Sequence, residues 1–434
     1  MREFLFQLDY STPISLQAQI REHLVSAIRT GQLAANERVP SSRQLAKSIN
    51  VSRNTVSLAY QRLLDDGFLI VKERSGYYVA ETIPTPLTAP MPDEGRHALD
   101  LTNRLWIRPS KQSNIEKPLN WQDYNYPFIY GQVDHALFPI AEWRDCVRQA
   151  LGRKWLDHWT ADAQNHDDPM LIEQIRKRLL PARGISAKPD EILVTLGAQH
   201  GLYMLSSLLV SEATTVALEN PGYRDLRNIF GLRTERIISV NLDAEGLTVD
   251  DELARAQVIC TTPSHQAPTN VTMSARRREE LLAAAARTDA LIIEDDYESE
   301  INFERSSLPA LKAADRDGRV IYLGSLSKTL FPGLRLGYIV APPDIIREAR
   351  ALRRLMLRHP PSNNQRTVAI FLALGHHDAL ISRLKRAYAQ RWQALSMSFQ
   401  KASEELLGRP MRGGSSAWVE GPVGLDTAVL ARQA

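Results

Sequence analysis

The sequence predicts two folded domains, a small N-terminal α+β domain and a large α/β domain with a mainly parallel sheet. Helical periodicity is concentrated in the first eighty residues, prolines then interrupt the chain, and helical patterns alternate with short β-rich runs farther on. The predicted boundaries are residues 1–80 for the small domain, 81–120 for a proline-rich linker and 121–434 for the large domain. The length of 434 residues, with 44% hydrophobic and 24% charged residues, is typical of a packed protein of about two to three domains.

Charge and cysteine content exclude several classes of protein. The net charge is +3, and residues 1–80 hold ten basic and seven acidic residues, so the whole surplus lies in the first domain. Cys146 and Cys260 are far apart and lie outside any metal-ligand spacing, which excludes a disulfide framework or a zinc ribbon. The N-terminus lacks the apolar stretch of a signal peptide, and no apolar run is long enough to cross a bilayer. We therefore expect a cytoplasmic protein with no membrane partner.

Three short helices are predicted in the N-terminal domain. Apolar residues four positions apart give residues 15–30 one buried helical face, and a glycine ends that helix. A second helix is predicted over residues 40–49, and Ser52 caps a third helix that runs to Asp66. Two short capped helices joined by a tight turn are typical of a helix-turn-helix.

The exposed face of this domain predicts a DNA-binding surface. The third helix begins with Arg53, Asn54 and Thr55, which can present hydrogen-bonding groups to base edges in the major groove. Two β-runs at residues 68–72 and 77–79 predict a hairpin, the wing of a winged helix-turn-helix, whose basic side chains can touch phosphates. The candidate DNA-binding residues are Arg43, Ser52, Arg53, Asn54, Thr55, Lys72 and Arg74. The alternative is a three-helix protein-interaction module whose charges face solvent.

Residues 39–79 carry a family resemblance. Their sequence, VPSSRQLAKSINVSRNTVSLAYQRLLDDGFLIVKERSGYYV, resembles the winged helix of GntR-type bacterial regulators. The resemblance covers about the first eighty residues of the chain. It implies a winged helix-turn-helix fold and operator DNA as a partner.

The large domain is predicted from seven β-rich runs separated by helical patterns. The runs span residues 191–195, 215–219, 236–240, 258–261, 290–294, 320–323 and 337–340. Strands that recur with intervening helices favour a mainly parallel sheet. Such sheets bind ligands outside the carboxyl ends of their strands.

The segment after the sixth run predicts a site for an aldehyde cofactor. Lys328 lies just past the predicted strand, and its amine can form a Schiff base. Ser325 and Ser327 offer hydroxyl groups, and the Arg335 guanidinium suits a phosphate. An aldehyde-binding lysine beside a phosphate-binding group indicates pyridoxal 5′-phosphate.

Other strand ends supply further candidate contacts. Asp295 and Tyr297 follow an apolar run and can pair with the pyridinium nitrogen and the phenolic oxygen of the cofactor. The loop at residues 195–199 precedes a helix predicted to start near His200, so its N–H groups can bind phosphate, and Tyr223 can stack on the ring. Each feature alone is more often structural, and their joint occurrence supports the site. The candidate cofactor-binding residues are Lys328, Asp295, Tyr297, Ser325, Arg335, Ala198, Gln199 and Tyr223.

Several motifs of the large domain resemble those of MocR-type regulators, in which a GntR-type winged helix is fused to a fold-type-I, pyridoxal-phosphate-dependent aminotransferase-like domain. They are TLGAQHGL, ENPGY, TTPSHQAPT, IIEDDYESE, GRVIYLGSLSKTLFPGLRLGYIVAP and GGSSAWVEGP. The resemblance implies that Lys328 is the catalytic residue and carries the internal aldimine, that the candidates above hold ring and phosphate, and that the protein is a head-to-tail homodimer. His265 or Gln266 lies where aminotransferases have an asparagine near the phenolic oxygen.

Three departures from the family pattern bear on the choice of effector. Asn270 stands where a glycine is usual, and residues 163–169 replace a glycine-rich stretch. The sequence also ends soon after GGSSAWVEGP, where family members continue through strands that supply an arginine for a substrate carboxylate. We therefore expect an incomplete small C-terminal subdomain, through truncation or because the effector is held differently.

These features together predict a DNA-binding regulator that senses a small amino compound by transaldimination at Lys328. One alternative is an active aminotransferase with an appended DNA-binding domain, and another is a regulator whose large domain is a dimerisation scaffold without cofactor. The sensor is favoured over the enzyme because a complete DNA-binding domain has no role in plain metabolism and because we expect the carboxylate-binding end to be missing. Residual transaminase activity is compatible with it.

Overall fold

The structure is a computed structural model. It describes residues 8–81, 101–115, 117–129, 131–162, 166–302, 308–402, 414–419, 421, 424–427 and 429–430. The chain divides into two compact units, Met1–Arg104 and Leu105–Ala434, and each has a hydrophobic core of its own. The prolines at positions 84–92 of the predicted linker lie outside the described residues.

The first unit contains three helices and a hairpin. They are α1 (Leu16–Arg29), α2 (Ser42–Ser48), α3 (Arg53–Asp65), β1 (Leu69–Lys72) and β2 (Gly76–Val79). Ser15, Ser41 and Ser52 cap the helices, because each side chain accepts a backbone N–H of the first turn. Every element lies within two residues of its predicted bounds.

The core of this unit is the apolar face predicted from helical spacing. Ile20 of α1 and both Val56 and Leu63 of α3 are fully buried, and α1 and α2 both pack on α3. The Tyr60 hydroxyl donates a 2.8 Å hydrogen bond to the Pro40 carbonyl, which fixes the start of α2 against α3. The antiparallel hairpin then follows α3, so the winged helix-turn-helix prediction is confirmed.

The second unit is built on an eight-stranded sheet. Its strands are β3 (Ile192–Thr195), β4 (Val216–Asn220), β5 (Ile237–Asp243), β6 (Gly246–Leu247), β7 (Val258–Thr261), β8 (Leu291–Asp296), β9 (Val320–Ser325) and β10 (Gly337–Val340). They lie in the order β3-β10-β9-β8-β7-β4-β5-β6, with β10 and β6 antiparallel to their neighbours and the other pairings parallel. The mainly parallel sheet is therefore confirmed, and the two-residue β6 is the strand that the sequence pattern did not indicate.

Helices cover both faces of the sheet. They are α4 (Ile140–Ala150), α5 (Leu156–Thr160), α6 (Pro169–Gln174), α7 (Ala198–Leu209), α8 (Arg224–Gly231), α9 (Ala275–Thr288), α10 (Leu311–Ala314), α11 (Pro343–Leu357), α12 (Ser362–Ala373) and α13 (His376–Ala402). Ile293 belongs to the core beneath α7, whereas its neighbour Ile292 belongs to the core beneath α9, because successive side chains of a strand point to opposite faces. Among the described residues, no helix combines the length and the apolar character needed to span a bilayer.

The strand register brings several strand ends to one edge. Gly337, the first residue of β10, pairs with both Thr195 at the end of β3 and Ser325 at the end of β9. Asp296, at the end of β8, pairs with Gly324 of β9. We call this side of the sheet, where β3, β8 and β9 end and β10 begins, the carboxyl edge.

Candidate functional site

The structure places the predicted cofactor residues at or beside the carboxyl edge. Ala198 and Gln199 begin α7 after β3, and Tyr223 precedes α8 after β4. The others lie at the ends of β8 and β9 or at the start of β10, namely Asp295, Tyr297, Ser325, Lys328 and Arg335. Four separate segments of sequence therefore come together at or beside this edge.

Lys328 lies in the turn that follows β9 and is half-buried. Its Nζ atom lies 5.8 Å from the centroid of the Tyr297 ring. Gly131 approaches the same amine, since a Cβ atom on that glycine would lie 3.1 Å from Nζ. The glycine also has a φ of +78°, so a side chain is disfavoured there on two counts. The amine thus lies near both a tyrosine ring and the backbone at Gly131.

Asp295 is the buried acid of the site. Its side chain is 7% exposed, and its Oδ1 atom has no hydrogen-bond partner. Burial raises the pKa of this carboxyl to about 7, the charges of Asp296 and Glu219 add to that rise, and nearby Lys328 opposes it. A buried carboxylate that lacks a donor is costly in its ionised form. A cationic ring N–H would supply the missing donor and charge.

The acids on either side of Asp295 are held by partners of their own. Asp296 Oδ2 accepts hydrogen bonds from Arg183 Nε at 2.7 Å and from the Tyr322 hydroxyl at 2.8 Å. Burial opposes ionisation of Asp296, but the Arg183 guanidinium together with hydrogen bonds from Ser264 and Tyr322 holds the pKa of Asp296 below its ordinary value. Glu294 accepts two backbone N–H groups at the start of α10. Of these three consecutive acids, Asp295 is therefore the one that combines an unpartnered carboxylate oxygen with Lys328 as its nearby cation.

A second group of side chains at the carboxyl edge suits an anion. Arg335 has a left-handed φ of +51°, and its guanidinium donates to the Leu196 carbonyl at 3.1 Å beside Gly197. The Ser325 hydroxyl accepts the N–H of Ser327 at 3.3 Å, and the Ser327 hydroxyl is buried without a hydrogen-bond partner. The N-terminus of α7 follows directly after Gly197, and the free N–H groups of a helix start favour negative charge.

The structure corrects the predicted start of α7 and joins Gln199 with Tyr223. The helix begins at Ala198, two residues before the predicted start, because Gly197 with a φ of +81° makes the turn out of β3. Gln199 Nε2 donates to Asp225 Oδ2 at 3.2 Å, and the Tyr223 hydroxyl donates to the same oxygen at 3.0 Å. The stacking role of Tyr223 remains a prediction.

Of the two candidates for the asparagine position, Gln266 is engaged elsewhere. Its Nε2 atom lies 3.1 Å from Glu219 Oε2 and donates to the Pro221 carbonyl at 2.9 Å. The buried Glu219 carboxylate also accepts the Thr261 hydroxyl at 2.6 Å. His265 is buried as well, and burial lowers the pKa of its imidazole. Gln266 thus supports the loop after β7, which leaves His265 as the candidate for a ligand contact.

The structure explains why Asn270 stands in place of glycine. Its φ is +61°, in the left-handed region that glycine adopts without strain and that asparagine tolerates better than most residues. The Asn270 side chain donates to the Ser416 carbonyl at 3.0 Å. Asparagine therefore keeps the backbone conformation and adds a link to the segment after residue 413.

The acids that replace the glycine-rich stretch form internal ion pairs. Asp167 pairs with Arg350 at 2.8 Å and with Arg353 at 2.5 Å, and Asp168 pairs with Arg366 at 2.6 Å. Asp168 also accepts backbone N–H groups at the start of α6. Residues 163–165 of the same stretch lie outside the described residues. These two acids are therefore engaged within the fold, and the bearing of the replaced stretch on the effector remains a prediction.

In the first unit, the predicted base-reading residues begin α3. Arg53 and Asn54 are exposed in its first turn, and Arg43 is exposed on α2. The Ser52 hydroxyl lies 2.7 Å from the Thr55 hydroxyl and accepts the Thr55 N–H at 3.1 Å. Ser52 and Thr55 therefore cap the helix, while the two residues between them point their long polar groups to solvent.

The hairpin carries the remaining basic candidates. Lys72 ends β1, and its Nζ atom lies 4.5 Å above the Tyr78 ring. Arg74 lies in the turn between the strands with a left-handed φ of +56°. Both side chains are exposed, on the element that the sequence assigned to the phosphate backbone.

The sequence did not reveal two cations that the fold places near the residues of the candidate site. Arg183 neutralises Asp296, and Lys117 reaches the neighbourhood of Lys328 from the predicted linker. Neither cation lies in a recognisable motif. Each of the two contacts joins segments more than one hundred residues apart, so the local sequence gives no signal of it. The described residues contain no group of three or more His, Cys, Asp or Glu side chains arranged to hold a metal ion.

Two family models match the chain. Residues 16–79 match the bacterial regulatory proteins of the gntR family, and residues 146–413 match aminotransferase class I and II. The HTH-type transcriptional regulator TauR of Rhodobacter capsulatus is 43% identical over 418 residues, covering 96% of this chain and 86% of that protein. The probable rhizopine catabolism regulatory protein MocR of Rhizobium meliloti is 31% identical, covering 88% of this chain and 77% of that protein.

Solved structures resemble the second unit. A Pyrococcus horikoshii kynurenine aminotransferase in complex with PMP shares 26% identity with a TM-score of 0.65, over 70% of this chain and 78% of that chain. LysN, the α-aminoadipate aminotransferase of Thermus thermophilus, complexed with N-(5′-phosphopyridoxyl)-L-leucine, shares 28% identity with a TM-score of 0.64, over 70% and 79%. Both relatives named above are regulatory proteins, and this chain joins a gntR-family domain to an aminotransferase-like one. The chain therefore belongs to the MocR-type subgroup of GntR-family regulators, with a winged helix fused to a fold-type-I aminotransferase domain.

Proposed function

We propose that the chain is a transcriptional regulator that holds pyridoxal 5′-phosphate at Lys328 and changes its DNA binding when a small amino compound reaches that site. The observation that carries the proposal is the buried Asp295 carboxylate, which has an unpartnered oxygen and a pKa raised to about 7 by burial. A protonated pyridine nitrogen is the donor that this carboxylate lacks. The residues present thus fit the cofactor.

Each candidate residue has a role in this proposal. When bound, the cofactor would supply an aldehyde able to form a Schiff base with the Lys328 amine or with the amine of a small compound. Lys328 binds the aldehyde, Asp295 the ring nitrogen and Tyr297 the phenolic oxygen. The remaining residues are assigned to the phosphate and the ring face: Ser325, Arg335, the N–H groups of Ala198 and Gln199, and Tyr223.

The winged helix supplies the second half of the function. We assign Arg53 and Asn54 to base edges, because they are exposed at the start of α3, and Lys72 and Arg74 to phosphates, because they lie on the hairpin. Arg43, Ser52 and Thr55 complete the surface. A head-to-tail homodimer would present two such surfaces to two half-sites of an operator, and the protein would act in the cytoplasm, where that DNA lies.

The effector must interact differently with two conformations of the protein to change DNA binding. Lys328 would provide such a difference, because its amine would hold the cofactor in the absence of an effector and would be available for other contacts when an effector occupies the carboxyl edge. Whether the response activates or represses transcription is a property of the promoter as well as of the protein.

DNA binding by the full-length, cofactor-loaded protein tests this proposal. Fluorescence anisotropy with the duplex upstream of the protein's own coding region is measured with and without a panel of small amines and amino acids. We expect at least one compound to change the affinity for DNA in the wild type and to have no effect on Lys328→Ala. A response that persists in Lys328→Ala, or a panel without any response, would contradict the proposal.

An active aminotransferase is the second candidate, and the aminotransferase folds of the solved relatives favour it. Steady-state transamination with pairs of amino and keto acids separates the two candidates. Sustained turnover would favour the enzyme, whereas a single exchange with the amine, followed by no keto product, supports the sensor.

A further inference from the structure

Residues 195–197, which join β3 to α7 and which we call the α7 turn, are held at three backbone groups. The Leu196 N–H donates to His200 Nδ1 at 3.1 Å, and the Leu196 carbonyl accepts a hydrogen bond from Arg335 Nη2 at 3.1 Å. The Thr195 hydroxyl donates to the Gly197 carbonyl at 2.9 Å. A side chain of α7 and a side chain that precedes β10 therefore hold the Leu196 residue at its N–H and at its carbonyl.

Close packing leaves the α7 turn little freedom. A Cβ atom on Gly197, which has a φ of +81°, would lie 3.2 Å from Arg335 Nη2. A Cβ atom on Gly337 would lie 2.9 Å from the carbonyl carbon of Gly197. The turn thus lies against both the guanidinium and the first residue of β10. Because α7 begins at the next residue, the turn sets the direction of the free N–H groups at the helix start.

The protonation state of His200 suits an acceptor. Burial, together with the charges of Arg353 and Arg335, lowers the pKa of this imidazole to about 4, so it is neutral near pH 7. Since Nδ1 accepts the Leu196 N–H, the ring hydrogen lies on Nε2, which is buried without a hydrogen-bond partner among the described residues. A buried N–H without an acceptor lowers stability. The histidine is therefore better explained by the turn that it holds than by the stability of the fold.

We propose that His200 is a positioning residue for the phosphate of the cofactor. It fixes Leu196 and, through it, the geometry in which the start of α7 and the Arg335 guanidinium meet an anion. His200 acts through the backbone and makes no contact with the phosphate itself. The inference rests on the proposed function, which assigns Arg335 and the N–H groups of Ala198 and Gln199 to the phosphate.

This role predicts a difference between two forms of the cofactor. Pyridoxal has the ring and the aldehyde of pyridoxal 5′-phosphate but lacks the phosphate, so it can use Lys328 and Asp295 without the α7 turn. Loss of the hydrogen bond between Leu196 and His200 should therefore weaken binding of the phosphorylated form alone. A purely structural role of His200 would weaken both forms alike, because both need the same folded domain.

Equilibrium binding of pyridoxal 5′-phosphate and of pyridoxal to the cofactor-free, full-length protein tests the inference, with visible absorbance as the readout. His200→Leu and His200→Phe remove the acceptor, and the second keeps a flat ring in case the first fails to fold. His200→Asn places a side-chain oxygen where Nδ1 lies and is the conservative variant. Ser207→Ala is the matched control, because it removes a hydrogen bond of 2.6 Å from Arg233 near the other end of α7.

We expect the acceptor-free variants to raise the dissociation constant for pyridoxal 5′-phosphate by about fivefold or more, because the Leu196 N–H loses its partner. Their affinity for pyridoxal should match that of the wild type, and His200→Asn and Ser207→Ala should keep the wild-type ratio of the two constants. Equal weakening of both forms, no change in the acceptor-free variants, or a His200→Asn variant as defective as they are would overturn the inference. A wild type that binds neither form would instead count against the proposed function itself.

Discussion

The two domains handle charge in opposite ways. In the winged helix the predicted functional side chains other than Thr55 are exposed, and its Arg21–Asp66 ion pair has partners that are 40% and 43% exposed. In the large domain the acids at the end of β8 are buried, and the Arg183–Asp296 pair is only 6% and 0% exposed. The charges of a DNA-binding surface can remain exposed to solvent until phosphates bind. A cofactor site, in contrast, needs charges that are withdrawn from water and fixed in place.

The largest effect is expected where a buried charge loses its partner. Arg183→Met leaves the Asp296 carboxyl in the protein interior without its cation, so the unfolding free energy of the large domain should fall by about 3–5 kcal/mol. Denaturant unfolding followed by tryptophan fluorescence measures this domain selectively, because all seven tryptophans lie after residue 104.

The control for that variant is an exposed pair in the same domain. Arg347 and Asp344 are 67% and 85% exposed, so Arg347→Met should cost less than about 1 kcal/mol. Similar losses in the two variants would remove the distinction between buried and exposed charge on which the comparison rests.

A smaller effect with a definite pH dependence is expected for Asp295. Burial raises its pKa in the folded, cofactor-free protein to about 7, so the folded state keeps a proton that the unfolded state has lost at pH 5 to 7. This carboxyl therefore costs stability as the pH rises through that window, and the cost levels off above it. Asp295→Asn should gain about 2 kcal/mol relative to wild type between pH 5 and pH 8.

Tryptophan-monitored unfolding of the cofactor-free protein at several pH values checks that gain. Asp251→Asn, at an exposed position of the same domain, is the control and should show no such trend. A difference between Asp295→Asn and wild type that is constant with pH would mean that Asp295 is ionised in the folded protein.

Features that are set by neighbours along the chain could be predicted from the sequence. Helix bounds and caps in the first unit follow from neighbours along the chain, so Ser52 and the start of α3 were located to the residue. The sequence also predicted that residues at several strand ends lie near Lys328, because parallel strands end at one edge of a sheet.

Contacts between distant segments could not be predicted. The partner of Asp296 is 113 residues away, and the two ion pairs of Asp167 span 183 and 186 residues. Lys117 belongs to the same class, since its place near Lys328 depends on a proline-rich segment docking on α8. Composition marked that segment as a linker, but its hydrogen bonds with α8 come from the tertiary fold.

The smallest effects are expected on the exposed DNA-binding surface. Arg53→Ala should weaken binding to the duplex that the protein selects from a random library by about 1–3 kcal/mol and leave random duplexes less affected. Lys72→Ala, the matched variant on the hairpin, should weaken binding to both duplexes alike. It should also reduce the slope of log affinity against log salt concentration by about one. Fluorescence anisotropy at several salt concentrations measures both, and equal behaviour of the two variants would break the division between base reading and phosphate contact.

The most direct test of the account is to find which residue captures the aldehyde. The full-length protein is supplied with pyridoxal 5′-phosphate, reduced with borohydride, digested and mapped by mass spectrometry, alongside Lys328→Ala. We predict a visible absorbance band before reduction and the cofactor mass on the peptide that contains Lys328, with neither in the variant. A colourless wild type, or a label found on other lysines and equally in Lys328→Ala, would contradict it.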